Sequence, residues 1–164
     1  MIYSILCVDK NYGIGKNNDL LFRLPKDMAF FKEKTLGHMV FLGENTFLSF
    51  PHQKPLKDRI NVVLSKGVHD YPNVINIHDF NEFISLLREK GKDEDVFVIG
   101  GASIYHQTLP YVDYVYLTKV DADGEATVFF DNLDKLDNFE CIEKSEPVMD
   151  GIYPIRFCLY KRLK

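Results

Sequence analysis

Asp27 lies in the stretch LPKDMAFFKEKT, residues 24–35, whose spacing predicts a short helix. Leu24, Met28 and Phe31 recur on one face, and at about 100° per residue Asp27 falls between Phe30 and Phe31 at the edge of that face. A carboxylate there is costly to bury unless something pairs with it or uses it. Two readings compete. Pro25 suits the first helical position, so Asp27 sits in the first turn, where an acid favours the helix dipole. Alternatively the acid works on a proton inside a pocket lined by the phenylalanines. Position alone favours the dipole; the flanking aromatic residues keep the chemical reading open.

Two further segments have the composition of a phosphate site. In VFVIGGASIYHQTLP a buried strand ends at Gly100-Gly101 and a helix begins at once. Glycines allow a ligand close to the backbone, and a helix start offers free N–H groups and partial positive charge. A tight strand-to-helix turn would need the same residues. MVFLGENTFLSF repeats the arrangement: Gly43 follows a strand, and Asn45 or Thr46 can cap the next helix. Two such starts at the ends of parallel strands could clamp the two phosphates of a dinucleotide. Neither segment is a P-loop or a G-x-G-x-x-G fingerprint, so the ligand is not named by these residues. YGIGKNNDLLF (12–22) could form a lid over a site or be a plain surface loop. Arg59, just ahead of the strand in KDRINVVLS, could grip a carboxylate with two hydrogen bonds or simply be solvated.

The elements that must hold these residues are legible as strand-like runs at 2–8, 39–42, 60–65, 74–77, 96–100, 114–120, 139–145 and 155–162. Helical patterns fall at 25–35, 44–50, 79–89 and 102–109. Continuous apolar runs suggest strands covered on both faces. Strand–helix alternation predicts a single α/β domain over residues 1–164: a central, mostly parallel mixed sheet of about eight strands, flanked by four helices. The last two strands follow one another without a helix, which predicts a C-terminal antiparallel hairpin. Long polar connections at 9–23, 51–58 and 121–138 are candidates for function.

Composition narrows the classes. The 164 residues are 46% hydrophobic, enough for one sizeable core, and the net charge is −4 with no basic stripe, so nucleic acid is not expected as a partner. No apolar run approaches the roughly 18 residues of a membrane span, and the N-terminus lacks the features of a signal peptide. Cys7, Cys141 and Cys158 form no metal pattern and fit a reduced cytoplasmic protein. The five histidines are scattered, so no metal is assigned.

Taken together, IGKNNDLLFRLPKDMAFFKEKT, LGENTFLS, LKDRINVVLS, VFVIGGASIYHQTLP and VDYVYLTKVDAD resemble dihydrofolate reductase of the bacterial chromosomal type, in the family's order and spacing. The resemblance implies a cytoplasmic monomer that uses NADPH to reduce 7,8-dihydrofolate to tetrahydrofolate and binds antifolate inhibitors. By the same resemblance, Asp27, Leu20, Phe22 and Tyr105 stand near the reacting atoms. Tyr3, Ile5, Met28, Phe31, Phe50, Arg59, Ile99 and Thr118 join Asp27 in the substrate site. Arg59 would hold the glutamate α-carboxylate and Thr118 would hydrogen-bond Asp27. The cofactor set is Ile5, Ile14, Gly15, Asn18 and Leu20 at the lid; Gly43, Glu44, Asn45, Thr46 and Ser49; Leu64, Ser65 and Lys66; and Gly100, Gly101, Ala102, Ser103, Ile104 and Tyr105. Gly100-Gly101 is expected to carry the family's cis peptide.

Four positions depart from the family pattern. Leu21-Phe22 stands where Pro-Trp is usual, Glu44 where an arginine meets the cofactor's 2′-phosphate, and Lys57-Asp58 where Pro-Gly precedes Arg59. Ala126 stands where an acid often latches the lid. They bear on cofactor preference and lid behaviour and leave Asp27 untouched. Two other functions share parts of this pattern: the pyrimidine reductase of riboflavin synthesis, and a nucleotide-binding regulator without turnover.

Overall fold

The most continuous apolar runs of the sequence become the strands at the middle of one sheet, because only residues covered on both faces can dispense with polar alternation. The computed structural model describes residues 1–16 and 19–163. In chain order the elements are β1 (Ile2–Val8), β2 (Gly13–Gly15), α1 (Pro25–Thr35), β3 (Met39–Gly43), α2 (Glu44–Leu48), β4 (Ile60–Leu64), β5 (Ile75–Ile77), α3 (Phe80–Asp93), β6 (Val96–Gly100), α4 (Ala102–Thr108), β7 (Tyr114–Val120), β8 (Val128–Phe129), β9 (Phe139–Lys144), β10 (Val148–Asp150) and β11 (Tyr153–Arg162).

The main sheet runs β5-β4-β3-β6-β1-β7-β11, with β9 and β10 both on the outer side of β11. The first six strands in that order are mutually parallel, and β11 enters antiparallel to β7. The expected mixed sheet, its four helices and the terminal antiparallel pairing are therefore present. The terminal pairing carries an addition: β10 turns back tightly into β11 through Gly151, whose φ of +64° suits glycine. A second small ribbon pairs β2 with β8. These two- and three-residue strands are too short to show a period of two in the sequence.

Alternate residues of each strand feed two layers. Met39 and Phe41 of β3 point into the larger cluster with Phe83, Ile84 and Leu87 of α3 and Ile104 and Tyr105 of α4. Val40 and Leu42 point the other way, toward Phe47 of α2 and Phe30 and Phe31 of α1. Helix α3 starts on Asp79, whose side chain accepts from the Glu82 N–H at 3.0 Å. Helix α1 has no such residue: Leu24 is its N-cap and offers no side-chain bond. The apolar face expected for α1 needs one correction. Phe30 packs at 4.6 Å from Phe157 and 5.7 Å from Tyr116, ring centre to ring centre, whereas Met28 is 52% exposed. The helix rests on the sheet through Leu24, Phe30 and Phe31, and Met28 is left uncovered on its flank.

Candidate active site

Asp27 stands over the carboxyl ends of β1 and β7. Cys7 and Thr118 are register partners on those strands, and both bring a hydrogen-bonding group to the Asp27 carboxylate. Burial raises the Asp27 pKa from its ordinary value; the nearby Thr118 hydroxyl opposes the rise, the charge of Asp150 adds to it, and the nearby Cys7 thiol opposes it. The net direction is upward, so the acid is poised closer to neutrality than a surface aspartate. Burial and the neighbouring Asp27 push the Cys7 thiol well up, which keeps it a neutral donor. From β10, Asp150 accepts the Lys26 and Asp27 backbone N–H groups at 2.9 and 3.1 Å.

Tyr105 approaches the same region from α4. It is buried, and its hydroxyl donates to the Ile5 carbonyl at 2.8 Å. Burial raises its pKa and the charge of Asp27 adds to the rise, so it stays protonated. Ile99 lies 8% exposed in the layer that also holds Ile5, with Phe31 and Phe50 packed against it. Arg59 is oriented rather than free: its Nε donates to the Lys57 carbonyl at 2.9 Å and one terminal nitrogen donates to Thr35 Oγ1 at 3.1 Å. Thr35 in turn donates to the Phe31 carbonyl at 2.8 Å, so the end of α1 aims the guanidinium. Tyr3 is not brought up to Asp27. It joins a ring stack with Phe97, Tyr114 and Tyr116, four residues before Cys7 and therefore about 13 Å down the strand.

The two glycine-bearing strand ends meet side by side, Leu42 of β3 opposite Gly100 of β6 across a register shift. A Cβ on Gly43 would come within 3.1 Å of Ile104, one on Gly101 within 3.2 Å of Thr46 Oγ1, and one on Gly100 within 3.1 Å of the Tyr105 ring. The Gly100–Gly101 peptide is cis, as expected, and Gly100 has φ +117°. Only bare backbone fits between α2 and α4, which leaves the first-turn N–H groups of 102–104 and the Thr46 hydroxyl available to a phosphate-bearing group, while the Tyr105 N–H already donates to the Gly101 carbonyl at 2.9 Å. Ser49 and Ser103 are less free: Ser49 donates to the Thr46 carbonyl at 2.6 Å, and Ser103 accepts from Gln107 at 2.6 Å. Asn45 and Ala102 lie in the first turns of α2 and α4.

Glu44 opens α2, and Tyr71 donates a hydrogen bond to it. Tyr71 also packs edge-on against His69. Next to them, Leu64 ends β4, Ser65 is buried and bonded to His78 at 3.0 Å, and Lys66 is exposed. His78 is paired with Asp70 at 2.6 Å, a bond that raises its pKa.

The segment expected to form a lid is a ribbon rather than a bare loop. Ile14 and Gly15 belong to β2, Lys16 and Asp19 bridge its tip, and Leu20 stands 72% exposed beyond it. Asn18 lies outside the described residues. Phe22 packs on Tyr153 at 4.7 Å. Beneath the ribbon, Asp9 is 2% exposed and its carboxylate accepts from Asn11 N (2.8 Å), Gly13 N (2.7 Å) and Gly124 N (3.0 Å). One buried acid thus ties the lid's base to the 121–127 loop, in the absence of an acid at 126. Ala126 itself abuts Gly13, where a Cβ would come within 2.3 Å.

Asp9, Thr35, Tyr71, His78 and Asp150 were not singled out by sequence reasoning. Their partners lie from 2 to 124 residues away, and most carry no local pattern. Among the described residues no group of three or more His, Cys, Asp or Glu side chains could hold a metal ion, and no helix is long and apolar enough to cross a membrane.

A sheet covered on both faces, one raised acid over the ends of two strands, and a glycine cradle beside it together define an α/β enzyme that works on a proton next to a nucleotide-type cofactor. The family model for dihydrofolate reductase matches residues 1–162. A dihydrofolate reductase of Bacillus subtilis (strain 168) is 31% identical over 165 residues, covering 99% of this chain and 95% of the relative. One from Haemophilus influenzae is 33% identical over 129 residues, 79% of this chain and 78% of the relative. Among solved structures, dihydrofolate reductase from Enterococcus faecalis complexed with NADP(H) and RAB-propyl superposes with a TM-score of 0.87 at 29% identity, covering 100% of this chain and 97% of that one. The chain belongs to the dihydrofolate reductase family.

Proposed function

We infer that the protein catalyses the NADPH-dependent reduction of 7,8-dihydrofolate to 5,6,7,8-tetrahydrofolate. One observation carries the reading at the level of chemistry: a carboxyl, Asp27, held at raised pKa by burial, with the polar groups of Thr118 and Cys7 beside it where β1 and β7 end. The reaction needs a proton on the pterin imine, because a protonated imine accepts hydride far more readily. Asp27 would hydrogen-bond the pterin's amino and ring nitrogens and raise the imine's proton affinity, through water or a pterin tautomer. Phe31, Phe50 and Met28 would line the pterin and benzoyl region, with the exposed Met28 covered by the substrate. Arg59, aimed by Thr35, would take the glutamate α-carboxylate through its unused N–H groups. Ile5 and Ile99 would offer backbone groups to the rings.

The glycine cradle fits a dinucleotide, since a side chain at Gly43 or Gly101 would close it. NADPH, bound there, supplies the hydride. Thr46 and the backbone of 100–105 would hold the pyrophosphate, and Ile14, Gly15 and Leu20 would cover the nicotinamide and exclude water. By the family resemblance, Ser65 and Lys66, just after β4, would meet the adenosine 2′-phosphate. The family resemblance supports reading the protein as a cytoplasmic monomer, bound by antifolates and not by nucleic acid. A pyrimidine reductase has no use for Arg59 aimed at a carboxylate tail, and a regulator has none for a buried proton-handling acid.

NADPH consumption with dihydrofolate as substrate tests the reading. Asp27→Asn should cut hydride transfer strongly at neutral pH, with the deficit shrinking as pH falls and solvent protonates the substrate. Wild-type turnover by Asp27→Asn at pH 7 would return Asp27 to a helix-dipole role.

A further inference from the structure

Helix α1 carries Asp27 in its first turn, yet its own N-cap residue gives that turn no side-chain acceptor. The acceptor comes from 123 to 124 residues away. Asp150, at the end of β10, receives the Lys26 and Asp27 N–H groups on a single oxygen, Oδ2, at 2.9 and 3.1 Å. It is 3% exposed, and Lys26 Nζ donates to the neighbouring Met149 carbonyl at 2.7 Å. A helix start needs its free N–H groups satisfied, and a buried carboxylate must be met by donors. Here each requirement meets the other, across the join between the first helix and the last hairpin. A neutral acceptor would also satisfy the N–H groups, though a carboxylate does so more strongly. A full negative charge placed this near a second carboxyl is a separate feature, and it calls for a separate explanation.

We propose that Asp150 is a positioning residue for Asp27: it seats the first turn of α1 against β10 and supplies the negative field in which Asp27 handles its proton. The proposal rests on the reading of Asp27 given above and extends it to a residue that touches neither substrate nor cofactor. The groups facing Asp27 support it. From β1 comes the Cys7 thiol, from β7 the Thr118 hydroxyl and from α4 the buried Tyr105 hydroxyl, all neutral. Asp150 is the charged group that acts on Asp27 from another element, and like charge favours the protonated form. The direction is the same whether the proton resides on Asp27 or on the imine beside it: the anion holds it there.

Asp150→Asn keeps an oxygen for the two N–H groups and removes the charge. The expected result is that the pH at which hydride transfer falls off moves down by about one pH unit, while folate KM and cofactor affinity stay near wild type. The Asp27 carboxyl, followed by carbon NMR in the ligand-free protein and assigned through Asp27→Asn, should titrate at correspondingly lower pH. Asp150→Ala removes the acceptor as well and should lower the rate at every pH. If the NMR titration of Asp27 and the kinetic inflection stay put in Asp150→Asn, the proposal is overturned. If instead Asp27→Asn proves fully active, it is the reading of Asp27 that fails, whatever Asp150 does. The unmodified protein gives a test that needs no variant: the Lys26 and Asp27 amides should exchange slowly with solvent, and rapid exchange would show that Asp150 does not seat the turn.

Discussion

At the scale of single residues, the pocket trades stability for chemistry. Asp27 has a raised pKa, so the folded protein binds its proton more tightly than the unfolded chain does, and stability falls as pH rises from the unfolded value through the folded one. Asp27→Asn removes that penalty. The variant should therefore unfold at higher denaturant concentration than wild type at pH 7 to 8, and the advantage should vanish in acid; equal midpoints across the range would mean the carboxyl is not held under strain. Arg59 makes the opposite kind of contribution. A carboxylate held by an oriented guanidinium is worth about 1.5–3 kcal/mol, so Arg59→Ala should weaken folate binding at least tenfold. Substrates lacking the glutamate tail should hardly notice, and equal losses for both would make Arg59 structural. Asp27, an acid on an aromatic helix edge, and Arg59, whose place before a strand suits solvation as well, took their roles in the sequence from the family resemblance. Asp150 and Asp9 did not. An aspartate in a polar loop is unremarkable until its distant N–H partners are known.

At the scale of elements, the sequence carried most of what matters, because eight strands and four helices each have a period or an apolar run. What it could not carry was the meeting of β3 and β6, where three glycines and Thr46 come together from segments some sixty residues apart. Nor could it show what becomes of Glu44. An acid at the start of α2 should repel a 2′-phosphate, which bears nearly two negative charges. The structure adds that Tyr71 donates to this acid, holding the charge in place rather than letting it swing away. Glu44→Arg should tighten NADPH and leave NADH little changed, whereas Lys66→Ala should weaken NADPH selectively. Both effects should fade as salt is raised, since Lys66 is exposed and Glu44 is only half-buried. Affinities for the two nucleotides at low and high salt decide it; a Glu44→Arg change felt equally by both cofactors would place the side chain away from the phosphate.

At the scale of the molecule, the sheet divides the labour. Its parallel half carries the strand ends that form the cradle, and its antiparallel end, built from β11 with β9 and β10, reaches round to hold α1. The terminal pairing was legible as a hairpin; its use as a brace for the catalytic helix was not, because nothing in IRFCLYKR refers to residue 27. Asp9 shows the same economy beneath the lid. Its two oxygens belong to different segments, Oδ1 to the lid's base and Oδ2 to the loop before β8. The lid and the 121–127 loop therefore form one transplantable part with a shared pin. Anyone grafting a relative's lid onto this scaffold, to borrow its kinetics or its drug resistance, must move residue 9 and the partner loop along with it, or leave a buried charge with nothing to hold.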